Sequence, residues 1–264
     1  MMRCRLHFFC IGAIAAVGLL AGCRDPEENL VEQTIEKNFT VSPTARLTIR
    51  NVDGAIRVYG SKTTEVKIQA IKRAYGADRL DKIVVNATGQ ADSVDIDTTY
   101  PPRPKLSWSD RSGTVDYTIV VPETCTVSRL ELTNGEVLIE GMRDATVSAK
   151  LVNGRMLDHN GFGKHDLFVA NGALDVTFDW WERRKFFVNA KIVNGNLRAM
   201  IPGESSFHLL AAATSGNIAN DFGARELNSN TKVRKVDMFV GDAALPTIDL
   251  QATEGNIAVV EANP

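Results

Sequence analysis

Leu130-Glu131-Leu132-Thr133-Asn134-Gly135-Glu136-Val137 is one copy of a frame that recurs seven times in the 264 residues. The copies centre on Gly54, Gly135, Gly154, Gly172, Gly195, Gly216 and Gly255. Two residues after the glycine stand Ile56, Val137, Met156, Leu174, Leu197, Ile218 and Ile257. Five residues before it stand Ile49, Leu130, Ala149, Leu167, Ala190, Ala211 and Leu250, apolar in every copy. The residue just before it is Asp53, Asn134, Asn153, Asn171, Asn194, Ser215 or Glu254. Apolar-polar alternation of this kind is a β-strand, and it feeds a glycine that can take positive φ without steric cost. From Gly135 onward the spacings are 19, 18, 23, 21 and 39 residues, the last about two periods. A period near 20 residues is the signature of stacked repeats.

Two architectures satisfy the frame. In the first, each Asn-Gly is a corner of a single-stranded β-helix, or solenoid, with coils of about 20 residues. In the second, each Asn-Gly closes a two-residue hairpin, and the chain is an antiparallel meander or sandwich of hairpins. Residues one period apart are chemically alike (Leu132, Leu151, Val169, Ile192, Ala213), as a stacked ladder requires, and this favours the solenoid. Either way the chain is all-β.

Residues 1–22 read as a targeting segment. Arg3 and Arg5 precede an apolar run, Leu6–Leu20, too short and too rich in Gly and Ala for a comfortable spanning helix. The run ends Leu20-Ala21-Gly22-Cys23, which resembles the lipobox of bacterial lipoproteins. The resemblance implies cleavage before Cys23 and a diacylglycerol on its thiol. Acyl chains contribute about 0.8 kcal/mol per buried CH₂, so two or three anchor durably. Arg24 rather than Asp follows the cysteine, which by the same resemblance favours the outer membrane. Whether the mature chain faces the periplasm or the cell surface is left open.

Cleavage removes two arginines and no acid, taking the formal charge from −2 to −4. Nothing there points to nucleic acid, which favours a strongly basic face. Cys4 and Cys10 leave with the signal and Cys23 is acylated, so Cys125 alone remains and reads as a buried core thiol. Residues 23–38 read as the acylated cysteine and a polar tether, and 39–264 as one β-domain. Within it, residues 100–113 carry Pro101, Pro102 and Pro104, which forbid ladder pairing and predict an irregular loop. Arg79-Leu80-Asp81 suggests one helical turn.

A strand ending in Val-Pro (Tyr117-Thr118-Ile119-Val120-Val121-Pro122), followed by repeated units such as Leu130–Val137, Val152-Asn153-Gly154, Ala170-Asn171-Gly172 and Val193-Asn194-Gly195, resembles the DUF4097 family, named for adhesins. The resemblance spans roughly residues 40–260. It implies a single-stranded β-helix and carries no catalytic residues across.

Few side chains carry chemistry. Asp158, His159, His165 and Asp166 surround a Gly-rich turn and could bind Zn²⁺, or could be a polar corner. Asp92, Asp95 and Asp97 could hold Ca²⁺, but strand alternation makes them a solvated face first. The strongest interaction candidate is Trp180, Trp181, Arg183, Arg184 and Lys185, in the longest central gap. Aromatics beside cations suit sugars, acidic polymers or lipid headgroups, although a Trp or Phe there could simply cap the core. No hydrolase or metalloprotease motif occurs, and no cofactor or metal is expected.

The function these features suggest is that of a non-enzymatic envelope lipoprotein, an adhesin-like or scaffolding solenoid. It would reach the membrane through its N-terminal lipid and bind an envelope protein or polysaccharide. A polysaccharide lyase or hydrolase, and a structural or stress-related envelope component, are the alternatives. If Cys23 is the anchor, Cys23→Ser leaves the chain unprocessed or unacylated. Mass spectrometry finding a mature wild-type N-terminus other than acylated Cys23 would refute the anchor.

Overall fold

The structure, a computed structural model, describes residues 30–102, 113–223, 234–242 and 246–262. The targeting segment, Cys23 and most of the loop expected at 100–113 lie outside the described residues. The strands are β1 (Leu30–Thr40), β2 (Arg46–Ser61), β3 (Glu65–Tyr75), β4 (Val84–Gln90), β5 (Ser93–Thr99), β6 (Thr114–Pro122) and β7 (Thr126–Glu140). They continue as β8 (Arg143–His159), β9 (Phe162–Thr177), β10 (Phe187–Pro202), β11 (Phe207–Ser215), β12 (Ile218–Asn220), β13 (Arg234–Val240) and β14 (Thr247–Ala262). A single helical turn, α1 (Ala77–Asp81), falls where Arg79-Leu80-Asp81 predicted it.

All the strands belong to one large mixed sheet, whose main path runs β1-β3-β6-β2-β7-β8-β9-β10-β14-β11-β13. From β2 to β11 along this path every pairing is parallel. Antiparallel pairs lie towards the two ends: β1 with β3, β3 with β6, β4 with β5, and β11 with β13. In the parallel region Gly54, Gly135, Gly154, Gly172, Gly195 and Gly255 stand opposite one another in register. Leu132, Leu151, Val169, Ile192 and Ala252 form a matching apolar ladder.

Six of the seven glycines expected at turns sit inside continuous strands, and Gly216 falls in the break between β11 and β12. What happens at each is a change of facing. In β7, Leu130 and Leu132 point inward before the glycine, and Val137 and Ile139 point inward after it. Those positions have opposite parity, so the period-2 alternation slips by one residue at Asn134-Gly135 and both limbs reach the same core. Gly135 and Gly154 adopt φ of 133° and 135°, a region that L side chains rarely enter. Gly255 does not have a positive φ, yet it is just as constrained, because a Cβ there would lie 1.7 Å from the Gly195 carbonyl oxygen.

Three sequence expectations change. Residues 30–38 are not tether but the greater part of β1, held because Val31, Ile35 and Phe39 pack on the core on one face. Ala213 does not follow Ile192 in the ladder, because β14 lies between β10 and β11. Every copy presents the same frame, so the frame alone does not set the order in which copies stack. The 39-residue spacing before Gly255 is also not two plain periods, since it contains β13, which folds back antiparallel on β11.

One apolar cluster runs through the domain, from Val41 to Val259. Cys125 lies within it, its thiol donating to the Ala45 carbonyl at 3.0 Å, and burial pushes its pKa up to about 11. The glycine stack yields a direct test. A Cβ at Gly154 would stand 1.9 Å from the Gly135 carbonyl oxygen. Gly154→Ala should therefore destabilise by more than about 1 kcal/mol and Gly154→Val by more still, a melting drop of at least about 2–4 °C. Equal melting of Gly154→Val and wild type by circular dichroism would show that the stack does not constrain the backbone.

Candidate functional site

Between β9 and β10 the repeat expands, and the aromatic side chains there explain why the extra residues hold a shape. Phe178 and Phe186 turn inward and are buried. Trp181 packs edge-on against both, with ring centroids 5.2 Å from each, and meets Phe207 at 5.6 Å. Its indole N–H donates to the Ser206 carbonyl at 3.2 Å, which satisfies its only polar atom. Trp181 thus takes the core-packing place that the sequence left open for a Trp or Phe of this segment, while remaining partly exposed. Trp180 is 45% exposed and touches the cluster only through Phe162, at 5.7 Å.

The charges on the segment divide. Arg184 pairs with Glu182 and Asp144, and these two carboxylates, Glu182 first, hold its pKa above the ordinary value. Glu182 also binds Arg143 at 2.6 Å, and the Arg143 guanidinium lies 6.0 Å from the Trp180 ring. Arg184 is therefore a brace rather than a free cation. Arg183 is exposed and has no ion-pair partner among the described residues. Lys185 points to a different depression, shared with Lys164 and Phe187.

Trp180, Trp181 and Arg183 line a cleft of about 950 Å³, closed on its other side by Pro202, Glu204 and Glu261. Asp179 stands at its edge with its pKa lowered, chiefly by the Asn160 amide at 3.1 Å and further by His159 at 2.8 Å. Glu204 and Glu261 are exposed and carry no ion pair among the described residues. Three carboxylates against one free guanidinium make the cleft acidic, which disfavours the acidic polymers considered from sequence. An exposed indole beside carboxylate acceptors and a guanidinium donor suits a neutral sugar, whose apolar face stacks while its hydroxyls hydrogen-bond. Glu261 could not be placed here from sequence. It arrives because β14 inserts beside β10 and sets Glu261 opposite Ile201.

The other candidates do not converge. His165 is fully buried and its Nδ1 lies 2.8 Å from Asp158 Oδ2, with Gly161 packed against the ring. His159 turns instead to Asp179 and Glu140. Asp166 accepts a hydrogen bond from Asn189 at 3.0 Å. Among the described residues no cluster of three metal-ligating side chains occurs. Asp97 pairs with Arg50 at 3.0 Å, while Asp92 and Asp95 are solvated.

No protein-family model and no curated protein matches the chain. Among solved structures, a "putative cell adhesion protein" from Clostridium sporogenes ATCC 15579 is similar with a TM-score of 0.50 at 12% identity, over 87% of this chain and 100% of that one. A "putative adhesin" from Bacteroides fragilis NCTC 9343 aligns over 86% of this chain and 97% of its own, at 11% identity and a TM-score of 0.29. The first likeness is one of fold.

The two tryptophans should separate in stability. Trp181→Ala empties part of the aromatic cluster and should cost about 3 kcal/mol. Trp180→Ala should cost less than about 1 kcal/mol. Denaturant unfolding of both variants checks this, and equal losses would show that the cluster does not hold the segment.

Proposed function

We propose that this chain is a non-enzymatic, adhesin-like binding protein of the bacterial cell envelope. In this reading it is anchored through acylated Cys23, in the outer membrane, and its parallel strands wind as a single-stranded solenoid that presents a sugar-binding cleft. The observation that carries the reading is Trp180, exposed over a cleft with a free Arg183, while Trp181 behind it is fixed to the core. A solvent-facing indole and an unpaired guanidinium on one cleft wall are the two side-chain types that lead the residues dominating binding hot spots.

A second reading, a polysaccharide-acting enzyme, draws on Glu204 and Glu261, because two unpaired carboxylates in one cleft could serve as acid and base. One experiment separates the two. The full chain and its Trp180→Ala/Arg183→Ala variant are compared for melting, for glycan binding on an array of neutral oligosaccharides, and for release of reducing ends. The binding reading expects unchanged melting, loss of about 2 kcal/mol or more of affinity, roughly thirtyfold, and no reducing ends from the wild type. A variant that binds every wild-type ligand, or a wild type that binds none, refutes it. Reducing-end release abolished by Glu204→Gln or Glu261→Gln establishes the enzyme.

A further inference from the structure

The opposite side of the expanded coil has a different character. On the outward face of β8, β9 and β10, Lys150, Phe168 and Lys191 occupy successive rungs in register. The Lys150 ammonium lies 5.9 Å from the Phe168 ring. Four residues earlier on the same face, Phe187 stands opposite Lys164. There Lys164, Lys185 and Phe187 line a depression of about 410 Å³. Rungs are about 4.8 Å apart and strand residues rise about 3.3 Å each, so Lys150 and Lys191 are about 10 Å apart across the strands and the two rows about 13 Å apart along them.

All four lysines are exposed, and none forms an ion pair among the described residues. The carboxylates on and beside this face have other partners: Asp166 accepts from Asn189 and Asp249 from Gln251, Glu131, one rung from Lys150, pairs with Arg129 at 3.7 Å, and Asp144, at the rim of the depression, pairs with Arg184. A chain of formal charge −2 thus gathers free ammoniums around two half-buried aromatic rings on one flat sheet face.

We propose that this face binds an acidic polysaccharide, a glycan strand bearing carboxylates at regular intervals. The lysines supply the counter-charges, and Phe168 and Phe187 the surfaces on which sugar rings rest. Parallel rungs hold the cations at fixed spacing, which suits a repeating polymer. A lipid surface fits less well, since membrane-seeking faces project large apolar side chains. Among the described residues the exposed large hydrophobics are Leu30, Val52, Tyr75, Val84, Trp180 and Phe239, none of which belongs to this face. The inference does not depend on the Trp180 cleft, which lies on the other side of the segment and is acidic.

Binding of oligogalacturonate to the full chain in detergent, measured by calorimetry, tests the proposal. The wild type should bind it in preference to a neutral oligosaccharide, with affinity falling as salt rises. Lys150→Gln/Lys191→Gln should weaken binding at least tenfold with unchanged melting, Lys150→Arg/Lys191→Arg should keep it, and Trp180→Ala should leave it intact. Failure of the wild type to bind both oligogalacturonate and heparin overturns the proposal, as does a Gln variant that binds normally. A lysine-dependent preference for phosphatidylglycerol over phosphatidylcholine vesicles, without glycan binding, also overturns it and assigns the face to lipid.

Discussion

Backbone meets backbone at the centre of this fold. In the parallel stack each corner glycine lies so close to the one below that any Cβ would sit within about 2 Å of a carbonyl oxygen, as Gly135 does over Gly54 and Gly172 over Gly154. No rotamer change relieves such a contact, because neither partner atom is on a side chain. The contact therefore fixes the register between strands, and with it every other row. Beside it runs a ladder of side-chain amides. Asn134 donates to Asp53, Asn153 to Asn134, Asn171 to Asn153 and Asn194 to Asn171, at 2.7–3.0 Å. Asn134, Asn153 and Asn171 each donate to one rung and accept from the next, and Asn194 ends the column beside Glu254, so a position that looks like a preference for turn residues is a hydrogen-bonded column.

With register fixed along one edge of the stack, irregularity elsewhere can be absorbed locally. The extra residues between Thr177 and Phe187 do not shift β10, because Asn194-Gly195 is locked on Asn171-Gly172. They fold outward, nailed down by Phe178, Trp181 and Phe186. The chain can thus mount a cleft on a rigid scaffold without disturbing the scaffold. This is the usual division of labour between regular elements and the connections they hold.

The parts of the fold legible in the sequence are those that repeat. The apolar positions two after and five before each glycine, the all-β class and the positive φ at all but one of these glycines follow from local rules of strand facing and sterics, whereas the close approach between stacked glycines was not foreseen. What was not legible depends on which copy lies beside which. β14 enters between β10 and β11 because Leu250, Ala252 and Ile257 satisfy the same inward positions as Leu167, Val169 and Leu174. Identical frames carry no address. The same ambiguity hid Glu261 from the cleft, since its neighbour Ile201 is sixty residues away in sequence. At Trp180-Trp181 the difficulty was of another kind. Two adjacent indoles off a regular strand have no parity to tell which turns inward, and only the Phe178, Phe186 and Phe207 rings decide it.

The same reasoning accounts for the uneven charge of the molecule. Inward positions admit a charged or polar side chain only where partners meet it, as Asp158 meets His165 and the Lys72 ammonium donates to the Leu80 and Ile83 carbonyls. Outward positions on a parallel stack place like next to like at about 4.8 Å, so uniform charge along a row would be self-repelling. The row through Arg50, Glu131, Lys150, Phe168, Lys191 and Gln251 alternates or interrupts its charges accordingly. Phe168 separates Lys150 from Lys191 by one rung, which moderates their repulsion while leaving both ammoniums free. At the other end of these strands, Glu204 lies in the connection after β10, and Glu261 stands in register opposite the buried Ile201 rather than opposite another charge. The charge of each outward row is thus set by which strands the stack brings side by side, so that free lysines gather at one end of β9 and β10 and free carboxylates at the other.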